Sequence, residues 1–198
     1  IGADFERTFN QIKLRLAAEP VAVQIPMGAG SPPDSKAFRG VIDLIEQKAL
    51  IFDEASLGSK IEVLEIPEEF RGVAASWRHR LLEQIASLDD AVLATYLDTE
   101  DISAADIHRV LRNATIANQI QPVFCGASLN YAGVQPVLDA ICNYLPSPLE
   151  RPPVQGINPN AKRGASDVQT RKPSAKEPFC GLIFKIQSDQ HGDLCFVR

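Results

Sequence analysis

The 198 residues allow one large domain or two small ones, and 45% hydrophobic with 23% charged residues are ordinary globular proportions. A formal net charge of −5 argues against a general nucleic-acid binder and would suit a basic partner better. No apolar run is long enough to span a bilayer, and Ile1-Gly2-Ala3-Asp4 is no signal peptide, although a chain starting without methionine is expected to lack its natural beginning.

Asp4 is placed to cap a first helix with the stripe Phe5, Phe9, Ile12 and Leu16, which Pro20 ends. Val21, Val23 and Ile25 alternate as one half-buried strand, and Met27 to Lys36, rich in Gly, Pro and Ser, reads as an exposed turn. Strands follow at Val41–Ile45, near Ala49–Phe52 and at Ile61–Val63, with Gly58 marking a turn. Such a succession predicts a small antiparallel sheet, distinct from a later strand at Val123.

Pro67 opens a long helix with Glu68 and Glu69 in its first turn, where the macrodipole favours anions. Phe70, Val73, Ala74, Trp77, Leu81, Ile85 and Leu88 form its apolar face. The opposite face is assigned Glu69, Arg71, Arg78, Arg80, Glu83 and Gln84. That face reads as solvated, with docking of a partner as the alternative. A shorter helix is expected over Ala91–Leu97. Ser103-Ala104-Ala105-Asp106 then resembles a capping box before Ile107, Val110, Leu111 and Ala114.

Val123, Phe124 and Cys125 read as a strand covered on both faces, which Gly126 ends where backbones can approach closely. Gly133 precedes a helix with Pro136 in its first turn and Val134, Val137, Leu138 and Ile141 on one stripe. Ligands of open α/β sheets sit beyond the carboxyl ends of strands, where such a loop lies, but the same pattern also serves as plain scaffold. Pro146-Ser147-Pro148 stops regular structure, and Glu150 to Pro178 reads as an extended or partly disordered linker. Phe179–Ile186 and Leu194–Val197 form a hairpin signal around Ser188–Asp193, expected to be the start of a domain cut soon after it begins.

The four cysteines, Cys125, Cys142, Cys180 and Cys195, form no CxxC pair, lie in predicted core segments and read as buried reduced thiols. Cys125 as a nucleophile would need a base. His79 and His108 fall within helices of another subdomain, and His191 in a distant hairpin turn. No phosphate-cradling GxxxxGK[ST] and no His/Cys/carboxylate group with ligand spacing occurs, so no catalytic or metal-binding residue is assigned.

Taken in order, these segments resemble translation elongation factor G, of the translational GTPase family. Ile1-Gly2-Ala3-Asp4-Phe5 with Gln11-Ile12-Lys13 resembles the helix following that family's Asn-Lys-x-Asp guanine-specificity motif. Gly40-Val41-Ile42-Asp43-Leu44-Ile45 with Lys48-Ala49, then Glu65-Ile66-Pro67, Trp77 and Tyr96-Leu97, resembles the subdomain inserted into its GTPase domain. Pro122-Val123-Phe124-Cys125-Gly126-Ala127-Ser128 resembles the fifth GTPase motif, Gly133-Val134-Gln135 and Leu138-Asp139-Ala140 the next helix, and Tyr144–Pro148 its exit. Pro178-Phe179 with Phe184-Lys185-Ile186 resembles the first strand of the following β-barrel.

The resemblance implies an α/β fold: the end of a P-loop GTPase domain with an inserted α+β subdomain, then the start of a β-barrel. Its divisions would be a GTPase helix at 1–20, the insert at 21–119, the last strand, guanine loop and helix at 120–148, a linker at 149–178 and the first barrel hairpin at 179–198. It implies GTP or GDP with Mg2+ in the parent protein, and a cytoplasmic factor promoting movement of tRNA and mRNA on the ribosome. Gly126, Ala127, Ser128 and Leu129 would hold the guanine. The family usually has Ser then Ala here, whereas this chain has Ala127 then Ser128, which keeps a backbone donor and loses a hydroxyl at 127. Glu68, Glu69 and Glu83 would meet the stalk protein of the large ribosomal subunit. The phosphate loop, switches and magnesium ligands would precede Ile1, so the isolated chain is expected to be inactive, to bind nucleotide poorly and to make no direct contact with nucleic acid. Alternatives are a ribosome-protection protein or release factor 3-like GTPase, or a non-enzymatic ribosome-docking module.

Overall fold

The computed structural model describes residues 3–29, 37–158, 167–190 and 192–198. Asp4 does cap helix α1 (Phe5–Leu16), its carboxylate accepting from the Arg7 amide at 2.9 Å. Phe5 and Phe9 pack edge-on against Trp77, with centroids 5.4 and 5.2 Å away, while the predicted stripe residue Leu16 is exposed.

The alternating stretch after Pro20 is two strands, not one. β1 (Pro20–Ala22) runs parallel to β6 (Gln121–Val123), and β2 (Gln24–Met27) enters a separate antiparallel sheet in the order β2-β3-β4-β5. The other strands of that sheet are β3 (Gly40–Asp43), β4 (Lys48–Phe52) and β5 (Ile61–Glu65), as the run of short strands predicts. Val23 stands between the sheets: its N–H donates to the Val123 carbonyl and its own carbonyl accepts from Leu44, both at 3.0 Å. Val21, Val23 and Ile25 are therefore all buried rather than alternating. The exposed turn expected at Met27 to Lys36 starts from a buried Met27, and residues 30–36 lie outside the described residues.

Helices α2 (Glu68–Ala86), α3 (Asp90–Thr99) and α4 (Ala104–Ile116) follow the predicted order. Asp89 and Ser103 cap α3 and α4 with side-chain oxygens. Their apolar faces meet the sheets in one core that includes Met27, Ile42, Leu44, Leu81, Ile107 and Leu111. Helix α5 (Val134–Tyr144) lies against α4.

Several expectations fail here for identifiable reasons. The strand at Val123 is half-buried and ends at Val123, because among the described residues β1 is its single neighbour. The α5 stripe Val137, Leu138 and Ile141 is exposed, and the helix instead buries Ala140 and Tyr144 against the rest of the unit. Cys142, Cys180 and Cys195 are exposed and Cys125 is partly buried, all free thiols, so position in an apolar run did not place three of them in the core. Arg78, assigned to the solvated face of α2, is buried.

Residues Pro146–Arg198 form a separate unit. The expected linker contains two paired strands, β7 (Val154–Ile157) and β8 (Val168–Arg171). The predicted hairpin is present as β9 (Ile183–Asp189) and β10 (Gly192–Val197), with a shorter connection than expected; His191 lies outside the described residues. Both fold readings agree at the level of a mixed α/β chain.

Candidate functional site

The loop after β6 is set by backbone contacts that only small residues permit. Ala127 and Ala132 exchange two hydrogen bonds, Ala127 N–H to Ala132 O at 2.9 Å and Ala132 N–H to Ala127 O at 3.1 Å. A Cβ on Gly126 would sit 2.5 Å from the Ala132 carbonyl oxygen, so glycine is required for this closure. Between the two alanines, Ser128–Asn130 form one 3-10 turn closed by Asn130 N–H to Ala127 O and Tyr131 N–H to Ser128 O. The Ser128 and Leu129 amides are the first of that turn and have no acceptor within it. Gly126, Ser128 and Leu129 are exposed, Leu129 at 91%, and Ala127 is half-buried.

Beside this loop lies a hollow of about 430 Å³, lined among others by Asp4, Phe5, Thr8, Phe38, Phe124 and Gly126. It brings the start of α1 next to the loop, although the two are far apart in sequence. Of the four predicted loop residues, Gly126 and Ala127 line this hollow, whereas Ser128 and Leu129 lie outside its lining on the exposed turn.

The three acids of α2 are not gathered. Glu68 pairs with Arg71 at 2.7 Å, Glu69 pairs with Arg39, and Glu83 lies 3.4 Å from His79. Glu68 and Glu83 are separated by about 22 Å along the helix axis, from the rise per residue. Each acid has a basic neighbour, so α2 presents mixed charge rather than one acidic patch.

Cys125 has no base. Burial pushes its thiol up to about 12, His79 Nδ1 pairs with Tyr96 OH at 3.1 Å, and His108 Nδ1 with Tyr144 OH at 2.6 Å. A neutral thiol without a positioned partner is inert as a nucleophile. Among the described residues no group of three or more His, Cys, Asp or Glu side chains could hold a metal ion, so the implied Mg2+ finds no ligand set in them.

Sequence reasoning missed two sets of residues. Arg78 donates to the carbonyls of Leu44, Ile45 and Ile102 and to Asp101, tying α2 to the β3–β4 turn and to the segment before α4. Gly58, read only as marking a turn, and Glu54, given no role, touch the loop after β6 at Tyr131 and Asn130. Nothing local in the sequence marks the second contact, which spans 76 residues.

No protein-family model matches the chain. Along its whole length it is 41% identical to elongation factor G of Aquifex pyrophilus and 45% identical to elongation factor G of Salinibacter ruber. It is 44% identical to a protein named elongation factor G 2 of Desulfotalea psychrophila. In each case the chain spans 27% of the relative's length. A crystal structure of a Thermus thermophilus protein matches all of this chain and 25% of its own, with a TM-score of 0.67 at 20% identity, which is a likeness of fold. The resemblance to elongation factor G therefore extends from one end of the chain to the other.

Proposed function

We infer that this chain is the part of an elongation-factor-G-like GTPase that holds the guanine end of its nucleotide, and that the whole protein hydrolyses GTP while promoting translocation on the ribosome. The observation that carries this is the loop after β6: small residues Gly126, Ala127 and Ser128 past the strand end, a 3-10 turn over Ser128–Asn130, and the amides of Ser128 and Leu129, which have no backbone acceptor among the described residues and are placed to donate to a base carbonyl. Identity of 41–45% along the full length to proteins named elongation factor G supports it.

In this reading α1, β1, β6 and α5 are the GTPase portion, β2–β5 with α2–α4 are the insert, and β9–β10 begin a β-barrel. The bare stripe of α5 and the exposed Leu14 and Leu16 of α1 are then faces for the rest of the GTPase domain. Glu68, Glu69 and Glu83 would meet a basic face of the ribosomal stalk protein once their present partners exchange. Phosphate and Mg2+ contacts come from elsewhere in the protein, so the 198-residue chain alone turns over no GTP.

The test uses the full-length protein. Ser128→Pro removes one free amide, and proline suits the first position of a helical turn. Loss of one hydrogen bond is expected to weaken GDP binding by about threefold to tenfold and to lower the preference for guanine over adenine. Unchanged GDP affinity and selectivity would remove the loop from the nucleotide site.

A further inference from the structure

The insert touches the loop by a route that chain order hides. The connection between β4 and β5 turns through Gly58, whose φ is +73° and where a Cβ would lie 2.1 Å from the Tyr131 carbonyl oxygen. Gly58 is buried although its neighbours Leu57 and Ser59 are exposed. Its amide is held by the Asp53 carbonyl at 2.9 Å, so the connection has its own fixed shape. Nearby, Asn130 Nδ2 donates to Glu54 Oε1 at 3.1 Å. Between these contacts Ala132 packs with Val41 and Phe52 of the antiparallel sheet. Residues 130–132, the closing half of the loop that opens with Gly126, are therefore gripped by side chain, backbone and core at once.

We propose that the β4–β5 connection is a positioning element for the guanine loop, acting through the Gly58–Tyr131 backbone contact and the Glu54–Asn130 hydrogen bond to slow release of a bound guanine nucleotide. The inference rests on the guanine-loop reading above. A loop already held in its binding shape costs less ordering when ligand binds, and loss of that order shows mainly in the dissociation rate. None of these residues needs to touch the nucleotide.

The experiment follows fluorescent GDP release from the full-length protein by stopped flow, with the thermal midpoint of each variant. Asn130→Asp sets a second carboxylate beside Glu54 and is expected to speed release by about threefold to tenfold, the worth of one lost hydrogen bond. Adding Glu54→Lys to that variant restores a donor–acceptor pair of reversed charge, and release should return to near the wild-type rate. Gly58→Ala forces the loop to shift and should speed release at least as much. If it fails to fold, the charge reversal decides alone. Release unchanged in Asn130→Asp, or faster but not rescued by Glu54→Lys, overturns the positioning role. If Ser128→Pro weakens GDP binding while these variants do nothing, the brace fails and the guanine loop stands; if Ser128→Pro is also silent, the guanine loop itself fails.

Discussion

Replacing Arg78 should destabilise the chain more than replacing its acidic partner Asp101, and in a defined order. Its side chain is 11% exposed and makes four hydrogen bonds, to Leu44 O at 2.8 Å, Ile45 O at 3.0 Å, Asp101 Oδ1 at 2.9 Å and Ile102 O at 3.2 Å. Arg78→Met keeps much of the stem's packing but leaves three carbonyls in a dry region without a donor, each costing about 1–3 kcal/mol. Against this stands the relief of no longer desolvating a guanidinium, several kcal/mol. The net expectation is a loss of about 3 kcal/mol. Arg78→Lys keeps the charge, but one ammonium cannot span the Leu44 and Ile45 carbonyls on one side and Asp101 with the Ile102 carbonyl on the other, so about half that loss is expected. Asp101 is 65% exposed and can rehydrate, so Asp101→Asn should cost less than about 1 kcal/mol. Urea unfolding of the 198-residue chain, read as midpoint shifts at constant slope, measures all three. Arg78→Met within about 1 kcal/mol of wild type, or no worse than Asp101→Asn, would refute the reasoning.

Burial raises the Asp43 carboxyl above its ordinary 3.8, although the Glu46 and Ile45 amides bonded to it pull the other way. A carboxyl that holds its proton more tightly when folded contributes stability that is full below 3.8 and lost as pH rises through the folded value. Asp43→Asn keeps the acceptor and should raise the thermal midpoint at pH 7, with the gain vanishing below 3.8; an equal loss at both pH values contradicts this. The thiol of Cys125, raised to about 12, should be alkylated by iodoacetamide at pH 8 at least about tenfold more slowly than exposed Cys142, Cys180 and Cys195, and equal labelling in a peptide map would overturn its burial.

The helices and their caps were legible because capping and period are local. Asp4 and Ser103, both read as caps, act on amides three residues on, and Asp89, which the reading of Ala91–Leu97 left out, does the same for α3. Arg78 shows a signal present but overridden. It lies four after Ala74 and three before Leu81, on the buried face by period, yet its charge placed it outside. What reversed that was three carbonyls from distant segments, which no helical pattern encodes. The α5 stripe shows the opposite failure. Period correctly grouped Val137, Leu138 and Ile141, but a stripe names a face and not what covers it. The loop at Gly126–Leu129 was singled out by its residues through the family resemblance, while the contacts it receives from Gly58 and Glu54 were not, since they depend on where the antiparallel sheet folds back.

That fold-back makes the antiparallel sheet something other than a module on a tether. A tethered subdomain would be entered and left through loops that absorb motion. Here the entry is the single residue Val23, whose N–H is bonded toward β6 and whose carbonyl is bonded toward β3. The exit is equally short: Ile120 is buried, and Gln121 bonds back to Glu19 through both backbone and side chain. The contacts of Gly58 and Glu54 with Tyr131 and Asn130 add a third attachment. With the entry and exit tied to the β1–β6 pair and the β4–β5 connection tied to Tyr131 and Asn130, a displacement of the sheet as a unit must strain or break the contacts at residues 130–132, so a load on the β4–β5 connection is passed to the loop that opens at Gly126.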